Sequence, residues 1–261
     1  MALWVPIAGT PNSWIALLHK KAVPVAGDAN GLVAVNKPEG VVSHPNFDDG
    51  GRGSLLRAPY NPCQRAYMVG GKGIFLLNRL DEPTGGLVLL AQSAPVAAAV
   101  CEAFRRRTVA KTYYAFTKCG PIPANTWHDS ATEHGNGKSV RLRPGANTKM
   151  YTETKVLEKV QWESLSCFLL ELHPLTGRTH QLRFQCAWHN IPIAGDRVYG
   201  DFGYNKAFHK VTGSHKLWLL AAEIELDYTL DGKIFHFFAR SPSIDEFLSL
   251  SGRGKRSLRS L

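Results

Sequence analysis

The chain has 261 residues, 44% of them hydrophobic, and its 31 lysines and arginines outnumber its 21 aspartates and glutamates by ten. That length can bury a sizeable core in one large domain or two packed halves, and the positive balance suits a phosphate-rich partner, without separating RNA from DNA or an acidic membrane. No apolar run approaches the roughly 18 residues that span a bilayer, and the five cysteines, at 63, 101, 119, 167 and 186, form no C-x-x-C pair. A helical membrane anchor, a zinc knuckle and a disulfide framework are thereby excluded. A soluble protein of a reducing compartment, cytoplasm or organelle matrix, is expected. Cys186 and His189 would share a helical face, but two ligands without partners read as core packing, and no metal is expected.

Residues 1–30 form an N-terminal extension in which Trp4, Trp14 and residues 15–18 are apolar and no acid precedes Asp28. Lys20 and Lys21 beside so little acid suggest an organelle presequence, mitochondrial for example, while an extension packed on the core fits equally well. Residues 32–35 predict a short strand, closed by Lys37-Pro38-Glu39-Gly40, and residues 46–53 a polar loop. Residues 85–91 predict a buried strand, after which Val96, Ala99, Val100, Ala103 and Phe104 recur at helical spacing. The triplet Arg105-Arg106-Arg107 suits either a helix C-terminus or a phosphate contact. Residues 112–117 return as a strand. The stretch 127–145, polar, basic and carrying Arg141 and Arg143, reads as a surface loop or hairpin. Residues 152–160 and 167–172 read as two strands of one meander, and 216–226 and 234–239 as two more. A basic tail, 246–261, with Arg253, Lys255, Arg256 and Arg259, reads as a solvated end. The balance predicts an α+β fold with a long, mixed, mainly antiparallel sheet and flanking helices, the main domain being 31–245.

Two segments carry candidate chemistry. In Asn78-Arg79-Leu80-Asp81-Glu82-Pro83-Thr84-Gly85-Gly86 a carboxylate stands between an arginine and a glycine-rich turn, at the mouth of the buried strand. A carboxylate there is expensive to desolvate unless a cation or donors hold its charge, which often marks a site; the plainer reading is turn and cap chemistry. Glu82 is a poor second acid for Asp81, because neighbours on a strand point to opposite faces. There is no G-x-S-x-G, and Gly70-Gly71-Lys72-Gly73 lacks the spacing of a phosphate loop. The second segment, Leu175-Thr176-Gly177-Arg178-Thr179-His180-Gln181-Leu182-Arg183, follows a strand-like run and reads as a tight turn into a helix. A helix starting near Thr179 puts Arg183 one turn along the same face.

With Lys111-Thr112-Tyr113 between them, these segments resemble the RluA-type family of RNA pseudouridine synthases. The resemblance begins at Leu32-Val33-Ala34-Val35-Asn36-Lys37-Pro38-Glu39-Gly40, fades after about Pro242, and rests on several motifs in the correct order. It implies a pseudouridine synthase-like catalytic domain that isomerises uridine in ribosomal or transfer RNA, with no cofactor. Asp81 matches the family's catalytic aspartate, acting as nucleophile or through a glycal-like intermediate. Arg183 matches the arginine that pairs with it and keeps it charged, and Tyr113 the tyrosine that stacks on the base and takes the C5 proton. The target nucleotide must be turned out of its stack, with Arg79 beside the nucleophile filling the gap, holding the backbone or bracing the turn. Thr176, Gly177, Arg178, Thr179, His180 and Gln181 would form the facing wall; for Arg105, Arg106 and Arg107 an RNA contact and a helix end stand side by side as readings. Residues 127–145 could touch RNA or be an inert insertion. Gly195-Asp196 and Tyr199-Gly200 fit a family pattern read as architecture. A monomer is expected.

Three departures bear on substrate and activity. Asn78 stands where the family most often has His, Gly85 where it most often has Ser, and Leu220 where many members carry His. They leave room for a second class, an RNA-binding assembly factor of a ribonucleoprotein that keeps the fold without modifying its partner.

Overall fold

The computed structural model describes residues 12–45, 53–135, 140–162 and 165–251. After a short 3-10 helix, Asn12–Leu17, the chain runs through β1 (Val23–Gly27), β2 (Leu32–Lys37), β3 (Tyr60–Asn61), β4 (Ala66–Val69), β5 (Lys72–Leu76) and β6 (Gly85–Ala91) into α1 (Ala94–Arg106). It continues through β7 (Ala110–Lys118), β8 (Thr126–Gly135), β9 (Val140–Pro144), β10 (Thr148–Trp162) and β11 (Leu165–Pro174). Then follow α2 (Gln181–Trp188), α3 (Phe202–Thr212), β12 (Leu219–Leu230), β13 (Lys233–Arg240) and α4 (Ile244–Ser249). The chain divides into two compact units: Met1–Ala110 with Ala221–Pro242, and Lys111–Leu220 with Ser243–Leu261. This is the α+β, mainly antiparallel architecture the sequence predicts.

In the first unit β6 is the hub. It pairs antiparallel with β2, from Leu32↔Ala91 to Lys37↔Gly86, and with β5, and it also neighbours β12; β1 extends β2, so the N-terminal extension supplies a strand. Every residue of β2 is buried, and so is β6 from its second position onward, which is why both read as continuous apolar runs and not as alternating ones. Over them lies α1. Ser93 and Pro95 start it, and Val96, Ala97, Val100 and Ala103 bury one stripe against Leu87, Leu89, Ile224 and Phe237. Its C-cap, Arg107, takes a left-handed conformation.

In the second unit the order is β7-β11-β10-β8-β9, each neighbour pair antiparallel. On β10, Met150, Thr152 and Thr154 turn inward while Lys149, Glu153 and Lys155 face out. The inner side packs on α2 through Leu182, Phe184 and Cys186, together with Trp127, Ala131, Leu142, Leu170 and Leu172.

The stretch 127–145 is a hairpin of β8 and β9, with residues 136–139 outside the described set. Its composition is polar, but one side belongs to the core: Trp127 is 1% exposed, and Ala131 and Leu142 are buried. Alternation hides this in a mean composition. Cys186 is buried and His189 stacks on Trp127, with ring centroids 4.6 Å apart, so this pair is packing. Among the described residues no group of three or more His, Cys, Asp or Glu could hold a metal ion, and no helix is long and apolar enough to cross a membrane. The loop predicted at 46–53, Gly53 excepted, lies outside the described residues, as do Trp4 and the basic tail from residue 252.

Gly86 is where strand and turn demand glycine. Its φ is +117°, and a Cβ there would meet the Ala221 carbonyl oxygen at 2.1 Å. Gly86→Ala should lower stability by about 3 kcal/mol, by strain plus overpacking, in denaturant unfolding.

Candidate active site

The first unit contributes the loop between β5 and β6. Asn78 uses both halves of its amide on β6: Oδ1 accepts from Leu89 N–H at 2.7 Å and Nδ2 donates to the Leu87 carbonyl at 3.3 Å. An asparagine therefore docks the loop along the strand. Ser43 Oγ holds Leu80 from both sides, accepting from its N–H and donating to its carbonyl, each at 3.0 Å. Asp81, half-buried, then opens a turn closed by Thr84 N–H on its carbonyl at 3.0 Å.

Beneath that turn lies Lys37, fully buried, which the sequence reading treated only as part of an opening strand and turn. Its ammonium donates to the carbonyls of Val41 (2.6 Å), Pro38 (2.9 Å) and Glu82 (3.2 Å). Gly40 N–H also donates to the Glu82 carbonyl, at 2.8 Å. The loop after β2 and the loop bearing Asp81 are thus laced together at one point. Burial lowers Lys37 from its ordinary 10.5 to about 8, against the opposing pull of Asp81, Glu82 and Glu39. A lysine ending an apolar strand, inside a K-P-x-G turn, was the available signal.

Arg79 is exposed, and its Nη1 lies 3.0 Å from His44 Nε2; the His44 ring stacks on Tyr60 at 4.9 Å. Burial, then Arg79 and Arg65, lower His44 despite its bond to the Pro45 carbonyl. Arg105 and Arg106 are exposed at the end of α1 and both bond to Glu102, at 2.7 and 2.5 Å. That geometry matches the helix-end reading of the triplet.

The second unit contributes β7, the β11–α2 loop and α2. Tyr113 stands opposite Leu172 and packs against the cluster around Trp127 and Leu182. Two residues earlier, Lys111 donates to the Thr176 carbonyl at 3.2 Å, and burial lowers it to about 8. Gly177 and Arg178 are exposed, Thr179 and His180 half-buried. His180 has φ +56° at the N-cap of α2, with Nδ1 3.1 Å from the Tyr199 hydroxyl. Thr176 and Gln181 differ from the wall expected of them. Both are buried: Gln181 Oε1 accepts from Thr176 Oγ1 (2.8 Å) and Arg178 N–H (3.1 Å), while its Nε2 donates to Thr152 Oγ1 (3.0 Å) and the Tyr151 carbonyl (3.2 Å). An amide with all these partners shapes the loop from within.

Arg183 is 4% exposed, and the structure gives it a buried bidentate partner, Asp196: Nε donates to Oδ2 at 2.8 Å and Nη2 to Oδ1 at 2.9 Å. Its guanidinium carbon lies 5.5 Å from the centre of the Tyr199 ring. Burial alone would raise Asp196, but the bonds and charge of Arg183, with the N–H groups of Val198 and Tyr199, hold it below the usual carboxylate range. Asp196, read from sequence as architecture, is a buried counter-ion of the arginine. The cue was a lone acid in an apolar stretch, since a buried arginine requires one. Asp81 thus belongs to the first unit, and Tyr113 and Arg183 to the second.

The model of the RNA pseudouridylate synthase family matches residues 31–188, over half of the chain. The chain belongs to that family. Its RluA-type character is supported by relatives: tRNA pseudouridine synthase C of Vibrio parahaemolyticus is 32% identical over 203 residues, covering 74% of this chain and 80% of that protein. Ribosomal large subunit pseudouridine synthase C of Rickettsia felis is 30% identical over 216 residues, covering 81% and 65%. The solved structure of human RNA pseudouridylate synthase domain containing 1 superposes with a TM-score of 0.62 at 22% identity, over 88% of each chain, and supports the fold. In this pseudouridine synthase the three departures have local accounts. Asn78 is bonded to β6, Leu220 is buried at 4% exposure, and at Gly85 a Cβ would meet its nearest atom, the Lys37 carbonyl oxygen, at an ordinary 3.6 Å.

Two outcomes follow for the Asp81 loop. Gly85→Ser should fold with stability unchanged or raised by about 0.5 kcal/mol, through loss of unfolded-state freedom. Lys37 titrates near 8 when folded and near 10.5 when unfolded, so its contribution to stability is depressed below pH 8 and recovers as pH rises to 10.5. The stability difference between native protein and Lys37→Met, followed by urea unfolding, should therefore climb across that window; a flat difference would show that the ammonium is not desolvated.

Proposed function

We propose that this pseudouridine synthase isomerises specific uridines of transfer or ribosomal RNA, with Asp81 as the nucleophile. The observation that carries the reading is the Asp81 turn, fixed by Ser43, Asn78, Gly40 and the buried ammonium of Lys37. A reactive carboxylate needs a backbone that does not yield when the substrate is strained against it. Such bracing exceeds what a solvated turn requires.

In the reaction the bond from ribose C1′ to uracil N1 breaks, the uracil rotates within the pocket, C1′ rejoins through C5, and the proton lost from C5 is balanced by one taken up at N1. Nothing is oxidised and no group is lost, so side chains suffice. Asp81 attacks C1′, or assists a glycal-like intermediate. Arg183, its orientation set by Asp196, acts as the cation that keeps the nucleophile ionised. Tyr113 stacks on the detached base and accepts the C5 proton. Arg79, beside the His44–Tyr60 stack, holds the strand from which the nucleotide is turned out. Arg178, Thr179 and His180 line the RNA-facing side of the β11–α2 loop.

Carbodiimide mapping of pseudouridine in cells carrying native protein or Asp81→Asn tests this directly. Sites lost in the variant, with RNA affinity retained, are expected. An unchanged map beside an impaired null strain would favour the assembly-factor reading. Tyr113→Phe, which keeps the stacking ring, should slow turnover by roughly 10²–10⁴-fold and reveal an isotope effect with 5-deuterouridine. Turnover near the native rate would remove Tyr113 as the base.

A further inference from the structure

The β8–β9 hairpin and the start of β10 have two unlike sides. One side carries Trp127, Ala131, Leu142, Met150 and Thr152 and packs under α2. Strand alternation puts His128, His134, Arg141, Arg143, Lys149 and Tyr151 on the other side. The register gathers them: Lys149 is opposite Ser130, Tyr151 opposite His128, Arg143 opposite Thr132 and Arg141 opposite His134. Arg141 and Arg143 are about 7 Å apart along β9, and Lys149 lies two strands, about 10 Å, across the face.

All three cations are exposed, and among the described residues none has an acidic partner within ion-pair distance. Arg105 and Arg106, by contrast, are tied to Glu102. The described carboxylates on the same side include Glu153, opposite Thr126, and Glu171, opposite Lys155, both beyond its far end. Between the cations and that end, His128 and Tyr151 meet edge to face, with centroids 5.1 Å apart. Cations on the edge strand β9 would also discourage edge-to-edge pairing. That purpose does not explain Lys149, which lies on an interior strand.

We propose that this outward face is a second RNA-binding surface, gripping the phosphate backbone of substrate RNA away from the reacting nucleotide. Paired positions relate Tyr113 to Leu172, Leu172 to Thr154, and Thr152 to Trp127, so Tyr113 lies on the side of the sheet that α2 covers. The basic face lies on the opposite side and takes a flanking segment of the RNA. Exposed cations beside a ring pair bind backbone with little sequence preference, which suits anchoring more than selection. The inference rests on the family's RNA substrate and not on the identity of the nucleophile.

The test uses the full chain with Arg141→Ala, Arg143→Ala and Lys149→Ala combined, against Arg105→Ala with Arg106→Ala. The probes are an unmodified full-length transfer RNA transcript and an isolated stem-loop. Direct titration should show affinity for the full transcript weakened about tenfold or more at moderate salt, and the log-log salt slope reduced by roughly two units, each phosphate contact carrying about 0.7–0.9. The stem-loop should bind as before, and kcat at saturating RNA should not change. The Arg105/Arg106 pair should move the slope by less than one unit. Unchanged affinity and slope in the triple variant, with or without aggregation, would overturn the proposal, as would a loss confined to kcat. Because titration reads binding without turnover, a transcript that is bound but not isomerised would count against the catalytic reading and leave this one standing.

Discussion

A cation in a dry interior must have its charge dispersed, and both units of this enzyme are organised around meeting that demand. Lys37 meets it with carbonyl oxygens of Pro38, Val41 and Glu82. Each oxygen belongs to a loop that has no strand ladder of its own to fix it. Dispersing one charge therefore orders two loops at once, and the second is the loop that presents Asp81. The depressed titration of Lys37 is the mark of the desolvation that this ordering costs.

The second unit meets the same demand with a carboxylate. Arg183 is matched edge to edge by Asp196, whose remaining acceptor capacity is taken up by the N–H groups of Val198 and Tyr199. A planar fork held in this way cannot rotate, which a lysine at the same place could not achieve. Around it runs a chain of polar groups, buried from Thr176 to Gln181, Gln181 to Thr152 and Thr152 to Gln185, and ending half-buried where Gln185 and His189 meet Asp129. Buried polar groups this completely partnered specify one arrangement of α2 against the sheet, since any slip would strand several at once. The β11–α2 loop thus inherits its shape from the hairpin core.

Much of the architecture was legible from pattern. The strand over 85–91 appears with those limits because a short apolar run bounded by glycine and a polar turn has few alternatives, and the meander strands appear as β10 and β11 with longer ends. The hairpin was harder: Trp127 and Leu142 are scattered among polar residues, and alternation becomes visible only when the partner strand is known. Asn78 looked like a loss of the family's usual histidine, but its bonds to Leu87 and Leu89 show an asparagine doing a backbone-docking task. Gln181, grouped by sequence with an RNA-facing wall, turns inward because Thr152 and Thr176 offer it a complete set of partners.

By itself the sequence determined the order of motifs, the placing of Asp81 between an arginine and a glycine turn, and the strand periodicities, all of which depend on neighbours within a few residues. Tertiary structure alone decided who neutralises the buried cations and which side of the hairpin faces water. Lys37 and the Glu82 carbonyl are 45 residues apart in sequence, and Arg183 and Asp196 are separated by 13. Charge compensation is a matter of distance in space, and a one-dimensional pattern names the groups that need partners without naming the partners.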